Sequence, residues 1–222
     1  MTALYLTRVS ISRAASARAL IQLLNPTKDQ DRAAAHHRLL WTLFAEAPDQ
    51  KRDFIWREDG DGRFLLLSAR PPIDEHCLFE MDEVKPFDPF LIPGTRLRFA
   101  LRANATVRHR GNVRHRDVVM DAIYGLPPGP ERATARREQA TPAARAWLDK
   151  QGESHGFTVD HMDCLGYETL RIAHGKMPMQ LGVVDLEGRL TVTEPDALRS
   201  AIGRGFGRAR AFGCGLMLIA PV

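Results

Sequence analysis

A short turn between two apolar runs constrains the fold of this chain more than any other feature of its sequence. The segment Asp59-Gly-Asp-Gly62 separates residues 53–57 from residues 63–68, and each of these two segments has an apolar centre. Asp-Gly pairs between two such runs favour a tight antiparallel hairpin, because glycine and aspartate accept the backbone angles of the turn. The sequence therefore predicts two paired strands in the first third of the chain.

The segments around this hairpin complete a recognisable order of elements. In chain order we predict a strand over 3–11, a polar connector over 25–32, a helix over 33–44, the hairpin, a short helix or turn beginning at Pro71-Pro72, and a strand over 78–85. This β-α-β-β-α-β order is that of a ferredoxin-like domain. Prolines at 86, 89 and 93 then mark a boundary, so we predict a first domain over residues 1–88.

The second half repeats the same order. Residues 95–104 alternate with period two, as a strand with one buried face does. We predict that 112–120 returns as its hairpin partner, and place helices over 141–150 and 194–203 and strands near 156–163, 167–173, 180–186, 189–193 and 215–220. The predicted fold class is α+β, with two tandem ferredoxin-like (RRM-like) domains, the second over residues 89–222.

The charges are distributed unevenly along the chain. Residues 46–83 hold eleven acids and five bases, whereas residues 95–116 hold seven arginines and no acid, and residues 197–222 hold four arginines and no acid. Clustered positive charge indicates a polyanion as partner, and arginine binds phosphate through two parallel hydrogen bonds and stacks on bases. Nucleic acid is therefore the favoured partner over a merely solvated surface.

Two motifs that resemble catalytic sites have simpler explanations. Gly152-Glu-Ser-His-Gly156 matches a hydrolase nucleophile pattern, but that pattern needs a strand before it and a helix after it, and here the order is reversed. We interpret its glycines as a helix-ending turn. His155, His161 and Cys164 match no short zinc pattern, so we expect no metal and no cofactor. The three cysteines form no disulfide framework, which makes the cytoplasm the expected location.

The glycine-rich segment 203–215 contains five glycines and three arginines. A nucleotide-binding loop follows a strand and begins a helix, but this segment runs from a helix into the last strand. The arginines instead favour close approach to the phosphates of a nucleic acid.

His36 and His37 lie in the first predicted helix. A helical histidine is commonly a core or surface residue, but an imidazole that titrates near neutral pH can also move a proton. Next to an RNA backbone it could deprotonate a 2′-hydroxyl or protonate a 5′-oxygen leaving group.

Several segments together carry a resemblance to a known family. They are Leu4-Tyr-Leu-Thr-Arg-Val-Ser-Ile11, His37-Arg-Leu-Leu-Trp-Thr-Leu-Phe44, Phe99-Ala-Leu-Arg-Ala-Asn104, Gly111-Asn-Val-Arg114, Leu186-Glu-Gly-Arg-Leu-Thr-Val192 and the tail 203–222. In this ordered set the chain resembles the CRISPR-associated CasE (Cse-type) endoribonucleases of the repeat-associated RNA-binding (RAMP) superfamily. That resemblance implies the same two-domain fold.

The resemblance also implies a reaction. The 2′-hydroxyl would attack the adjacent phosphate at the base of the repeat hairpin in precursor CRISPR RNA, without a metal, leaving a 5′-hydroxyl and a 2′,3′-cyclic phosphate. The family histidine corresponds to His37, with His36 as the alternative, and a family lysine corresponds to Lys176, which would stabilise the phosphorane. Some members have a tyrosine three residues before the histidine, where this chain has Ala34. His37 could then act as the base or as the acid.

The resemblance further implies that the protein keeps the mature CRISPR RNA and joins the other subunits of the Cascade complex. The residues that we predict to bind RNA are all arginines of the basic segments: Arg102, Arg108, Arg110, Arg114, Arg116, Arg204, Arg208 and Arg210. Two alternatives remain, a non-cleaving RNA-binding subunit and a phosphate-binding enzyme that uses the glycine-rich segment.

Overall fold

The fold is described from a computed structural model of the chain. The structure describes residues 3–14, 17, 19–45, 51–60, 62–111, 113–172 and 179–222. The chain divides into two compact units. The first comprises Met1–Pro89, Leu170–Gln180 and Arg210–Gly213, and the second comprises Phe90–Thr169, Leu181–Ala209 and Cys214–Val222. The boundary expected after residue 88 stays a prediction.

The elements of the first unit are, in chain order, β1 (Tyr5–Ile11), α1 (Ile21–Leu24), α2 (Asp29–Trp41), β2 (Phe54–Glu58), β3 (Arg63–Ser68), β4 (Phe79–Met81), β5 (Lys85–Pro86) and the 3-10 turn Arg210–Phe212. The sheet has the order β2-β3-β1-β4, with β5 also on β1, and the pairs are antiparallel. This is the order of a ferredoxin-like sheet, and the hairpin at Asp59-Gly-Asp-Gly62 joins β2 to β3 as predicted. The core forms where α2 covers the sheet, around Leu40, Phe44, Trp56 and Phe64.

The structure corrects the extent of one predicted helix of the first unit and decides the form of another element. The helix begins at Asp29 and ends at Trp41, not at residues 33 and 44. The element predicted as a short helix or turn from Pro71-Pro72 contains a turn at residues 75–76, and no helix forms over residues 69–78, all of which the structure describes. Pro71 and Pro72 lack a backbone donor and disfavour a helical residue before them. Asp74 instead accepts hydrogen bonds from the backbone N–H groups of Leu78 and Phe79, at 3.1 and 2.8 Å, and so leads the chain directly into β4.

The elements of the second unit are, in chain order, β6 (Arg96–Ala103), β7 (Thr106–Val107), β8 (Arg116–Asp117), α3 (Val118–Ala122), α4 (Pro130–His155), β9 (Phe157–Ile172), β10 (Met179–Val192), α5 (Pro195–Arg204) and β11 (Met217–Pro221). The last residues of β9 and the first of β10 cluster with the first unit. The sheet has the order β11-β6-β10-β9, again with the first strand of the repeat inside the sheet. The two ferredoxin-like folds expected from the sequence are therefore present.

The hairpin partner predicted for residues 95–104 was wrong. The neighbours of β6 are β10 and β11, and residues 116–117 pair instead with residues 106–107. The ladder stops there because the Asp117 carboxylate accepts hydrogen bonds from the N–H groups of Val119 and Met120, both at 2.9 Å, and caps α3.

The second long helix and the strands after it are also longer than predicted. α4 begins at Pro130, a favoured first residue, and continues through Pro142, because strong helix formers fill residues 131–140. It ends at Gly156 in the left-handed conformation, φ +75°, which confirms the helix-ending turn. The four predicted strands after it are the two long strands β9 and β10. Gly188 lies within β10, where a Cβ would overlap the backbone carbonyl of His161.

None of the described helices has both the length and the apolar character that crossing a membrane requires.

Candidate active site and basic surface

Two adjacent histidines of α2 occupy different environments, because successive helical residues point about 100° apart. His36 is fully buried. Its Nε2 lies 3.0 Å from Asn25 Oδ1, its Nδ1 lies 3.8 Å from Glu58 Oε2, and its ring packs edge-on against Phe64 at 4.8 Å. His36 is therefore a core residue with polar partners.

His37 is half-buried on a different side of α2. Its ring centroid lies 6.3 Å from those of Trp41 and Phe54 and 6.4 Å from that of Phe212. Its Nδ1 atom is buried and has no hydrogen-bond partner among the residues that the structure describes. Aromatic packing, rather than a hydrogen bond to Nδ1, positions this imidazole within the described part of the chain.

The electrostatic environment of His37 is positive. Burial lowers the pKa of His37, and the charges of Arg52 and Arg38 lower it further. Burial and the charge of Arg210 likewise lower the pKa of Arg52. An imidazole in this environment is largely neutral at pH 7, so one of its ring nitrogens is unprotonated and can accept a proton. The positive charges of the arginines also favour an anion beside it.

A segment remote in sequence completes this environment. The 3-10 turn Arg210–Phe212 packs on α2 and β2. Gly213 follows it at φ +77°, where a Cβ would lie 3.0 Å from the Trp56 ring. Glycine thus lets the turn approach β2 closely enough to bring Phe212 to His37.

Arg52 and Phe212 were missed by the sequence analysis. Arg52 lies in the acidic segment 46–83, where no basic site was expected, and Phe212 is separated from His37 by most of the chain. The only signal in the sequence was the glycine-rich segment itself. Its glycines indicated that its backbone approaches another group closely, but they did not identify that group.

Lys176, the second predicted catalytic residue, lies outside the described residues. The described residues that flank it, 170–172 and 179–180, belong to the first unit, as His37 does. Ala34 lies on α2 one turn before His37, so no phenol side chain is present at this position.

Three of the predicted RNA-binding arginines of the second unit lie in one loop. The loop over residues 108–115 joins β7 to β8, and its residues Arg108, Arg110 and Arg114 are exposed. Arg116 follows at the end of the loop, where its Nη1 donates to Asp121 Oδ1 at 2.9 Å and its guanidinium lies 4.0 Å above the Tyr124 ring.

Arg102 is placed differently from these arginines. On β6 it forms ion pairs with Asp185, at 2.5 Å, and with Glu168. Burial lowers the pKa of Arg102, but the two carboxylates raise it overall. Its charge is already balanced inside the sheet, so its RNA-binding role stays a prediction with little support from this geometry.

The remaining three arginines belong to the glycine-rich segment. Arg204 ends α5, and the Arg208 N–H donates to the Asn104 carbonyl at 3.2 Å in an isolated bridge, both in the second unit. Arg210 begins the 3-10 turn of the first unit. Arg204 and Arg208 are exposed, and Arg210 is half-buried.

His155, His161 and Cys164 do not form a metal-binding group, and no other cluster of three His, Cys, Asp or Glu side chains occurs in the part of the chain that the structure describes.

Two known proteins are similar to this chain over most of its length. It is 32% identical over 151 residues to "CRISPR-associated endoribonuclease Cse3" of Thermus thermophilus, a match that spans 62% of this chain and 61% of that protein. It is 28% identical over 224 residues to "CRISPR system Cascade subunit CasE" of Escherichia coli, spanning 99% of this chain and 100% of that protein.

A solved structure is also similar. The structure of Thermus thermophilus Cse3 bound to an RNA representing a pre-cleavage complex matches with a TM-score of 0.70 and 25% identity, and the match covers 99% of this chain and 100% of that one. A family model described as "CRISPR associated protein" matches residues 4–221. With two ferredoxin-like units and a match over nearly its whole length, the chain belongs to this family of CRISPR-associated proteins.

Proposed function

We propose that the protein is an endoribonuclease that cleaves precursor CRISPR RNA at the base of the repeat hairpin. The 2′-hydroxyl attacks the adjacent phosphate, which leaves a 5′-hydroxyl and a 2′,3′-cyclic phosphate, and no metal takes part. The observation that carries the proposal is the placement of His37, half-buried among aromatic rings in a positive environment. The relatives named above, an endoribonuclease and a Cascade subunit, support it.

His37 is proposed to move the proton in this reaction. Its lowered pKa keeps the imidazole neutral at pH 7, which suits a base that takes the proton of the 2′-hydroxyl. His36 is a poor alternative, because its ring is fully buried and its Nε2 faces Asn25.

Positive groups near His37 are proposed to stabilise the extra negative charge of the phosphorane. Arg52 and Arg210 supply two such charges within the first unit, and Lys176 is proposed as a third. A fixed cation beside a developing oxyanion stabilises the transition state more than the ground state, and so it lowers the barrier.

The arginines of the second unit are proposed to hold the RNA stem. A double-stranded RNA stem offers mainly phosphates and 2′-hydroxyls, and exposed arginines at 108, 110 and 114 can contact both.

We propose further that the protein keeps its product and acts in the cytoplasm with the other Cascade subunits. Residues 1–88 would supply the catalytic histidine, and residues 89–222 would hold the stem.

The repeat RNA of the CRISPR array in the source genome provides the test. Wild type, His37→Ala and the control His76→Ala, an exposed histidine of the first unit, are incubated with this RNA in EDTA. We expect wild type and the control to cleave, and His37→Ala to lose cleavage by at least about a hundredfold while its affinity stays within about twofold.

The result also separates the rival function. Tight binding of the repeat RNA by all three proteins without cleavage would make the protein an RNA-holding subunit. Cleavage that needs an added divalent cation would contradict the proposed chemistry.

A further inference from the structure

The Asp121 carboxylate connects both ends of the arginine loop 108–115. His109 Nε2 lies 3.0 and 2.9 Å from its two oxygens, and Arg116 Nη1 donates to Oδ1 at 2.9 Å. His109 lies near the first end of the loop, and Arg116 directly follows the last residue. One side chain thus holds the two ends together.

The backbone alone gives this loop little support. β7 and β8 pair only at Thr106↔Asp117 and Val107↔Arg116. A hairpin with two residue pairs is marginal in water, so side chains must hold it in place. The Asp121 side chain contacts both of its ends.

The short helix α3 that carries Asp121 is itself fixed to the sheet of the second unit. Asp117 caps α3, and the Tyr167 hydroxyl of β9 donates to Asp117 Oδ1 at 3.2 Å. Gly182 of β10 lies so close to Asp117 and Tyr167 that a Cβ on it would overlap both side chains. A continuous series of contacts therefore runs from the sheet through α3 to the base of the loop.

The charge on Asp121 opposes RNA binding if it is considered by itself. A carboxylate near a basic loop repels phosphate, and it pairs with Arg116 and occupies the Nε2 atom of His109, which could otherwise bind the RNA. Its presence there indicates a benefit that exceeds this repulsion. Ordering a long side chain on binding costs conformational entropy, so a loop that is already held in position binds more tightly.

We propose that Asp121 is a positioning residue for RNA binding: it joins His109 and Arg116 and so preorganises the arginine loop 108–115 to receive the stem of the repeat hairpin. This inference rests on the proposed RNA-binding function. It predicts that removing a negative charge weakens the binding of a polyanion.

The experiment compares Asp121→Ala with Asp149→Ala. Both changes remove one aspartate that pairs with an arginine of the second unit, since Asp149 is bonded to Arg145 within α4. Alanine favours a helix, so neither change should unfold its helix. Asp121→Asn, which keeps the shape of the side chain, is a second variant, and thermal unfolding is measured for all of them.

The probe is the repeat hairpin RNA with a 2′-deoxy substitution at the attacking nucleotide, which prevents cleavage. We expect Asp121→Ala to weaken binding about tenfold, and Asp149→Ala to change it less than about twofold. Asp121→Asn should shift affinity in the same direction as Asp121→Ala. The slope of log affinity against log salt should fall by about one to two units in Asp121→Ala, because phosphate contacts are lost.

Cleavage distinguishes positioning of the stem from damage to the active site. With unmodified RNA and saturating Asp121→Ala, we expect the single-turnover rate to equal that of wild type. Equal or tighter binding by Asp121→Ala than by wild type, or an unchanged salt slope, would overturn the inference. Failure of the wild type to bind the hairpin would instead refute the proposed function.

Discussion

Single residues decide where chemistry can occur on α2. His36 and His37 are neighbours in sequence, yet one ring is enclosed by the core while the other lies among Trp41, Phe54 and Phe212. The rotation of about 100° between successive helical residues accounts for the difference. The local environment of each ring then sets what it can do, because burial and positive charges keep His37 neutral near pH 7.

The protonation of His37 predicts the pH dependence of cleavage. The pKa of the His37 imidazole lies below its ordinary value of 6.5 in the free protein. If this group is the base, the single-turnover rate at subsaturating protein rises with pH through that lowered pKa and is already level at pH 7. A rate that falls as the pH rises from 5 to 7 would assign His37 to the acid role instead.

The same shift has a consequence for stability. Because the folded protein disfavours protonated His37, the unfolded chain binds more protons between the lowered pKa and 6.5. The free energy of unfolding should therefore decrease as the pH falls through this window. Urea unfolding at pH 5 and pH 7 measures the decrease, which should be smaller in His37→Ala than in wild type.

His36 should matter for stability and not for chemistry. Replacing it by leucine leaves Asn25 Oδ1 without the hydrogen bond from Nε2, so we expect a loss of about 1–3 kcal/mol in the free energy of unfolding. Cleavage per folded molecule should stay within about twofold of wild type. A hundredfold loss in a fully folded variant would contradict the core role.

At the scale of elements, the 3-10 turn Arg210–Phe212 is the structural feature that completes the candidate active site. It packs on α2 and β2 and brings an aromatic ring and a positive charge to the side of α2 where His37 lies. Its position depends on Gly213, the glycine that lies against Trp56. The glycine-rich segment thus acts through its position as well as through its arginines.

Gly213→Ala tests this role against a matched glycine. Both Gly213 (φ +77°) and Gly94 (φ +86°) have left-handed backbone angles, but only the added Cβ at Gly213 meets a neighbour, the Trp56 ring at 3.0 Å. Each alanine should destabilise the protein by about 1–2 kcal/mol through its backbone angle. Only Gly213→Ala should also lower the single-turnover cleavage rate, by about tenfold or more, because the turn is displaced. Equal rates in the two variants would show that the turn does not position the site.

At the scale of the whole molecule, two units with the same strand order carry different functional groups. The first unit contains His37, Arg52 and the 3-10 turn, and the second contains the arginine loop 108–115. An RNA stem held by many phosphate contacts dissociates slowly at low salt. In the proposed function, binding of the stem and cleavage of the RNA would depend on different residues.

Product retention is the prediction that belongs to this scale. With RNA in excess at low salt, we expect a burst of product equal to the protein concentration, followed by a much slower phase. Raising the salt should accelerate the slow phase, because it weakens the phosphate contacts that hold the product. Continuous fast turnover at low salt would contradict retention.

Much of the fold followed from local sequence signals. The alternation of residues 95–104 and the Asp-Gly turn between β2 and β3 were found where predicted, and the helix that carries His37 was found with shifted ends, because these features depend on neighbours in the chain. The lengths of α4, β9 and β10 did not follow: α4 begins at Pro130 rather than at residue 141, and β9 and β10 each join two of the predicted short strands.

The sequence by itself determined two ferredoxin-like units, a basic and arginine-rich second half, and His37 as the candidate catalytic residue. Only the tertiary structure decided that His36 belongs to the core, that Arg102 is neutralised by Asp185 and Glu168, and that Phe212 and Arg52 lie beside His37. The physical reason is range. Helix period, strand alternation and turn chemistry act between residues a few positions apart, whereas burial and ion pairing depend on contacts between distant parts of the chain.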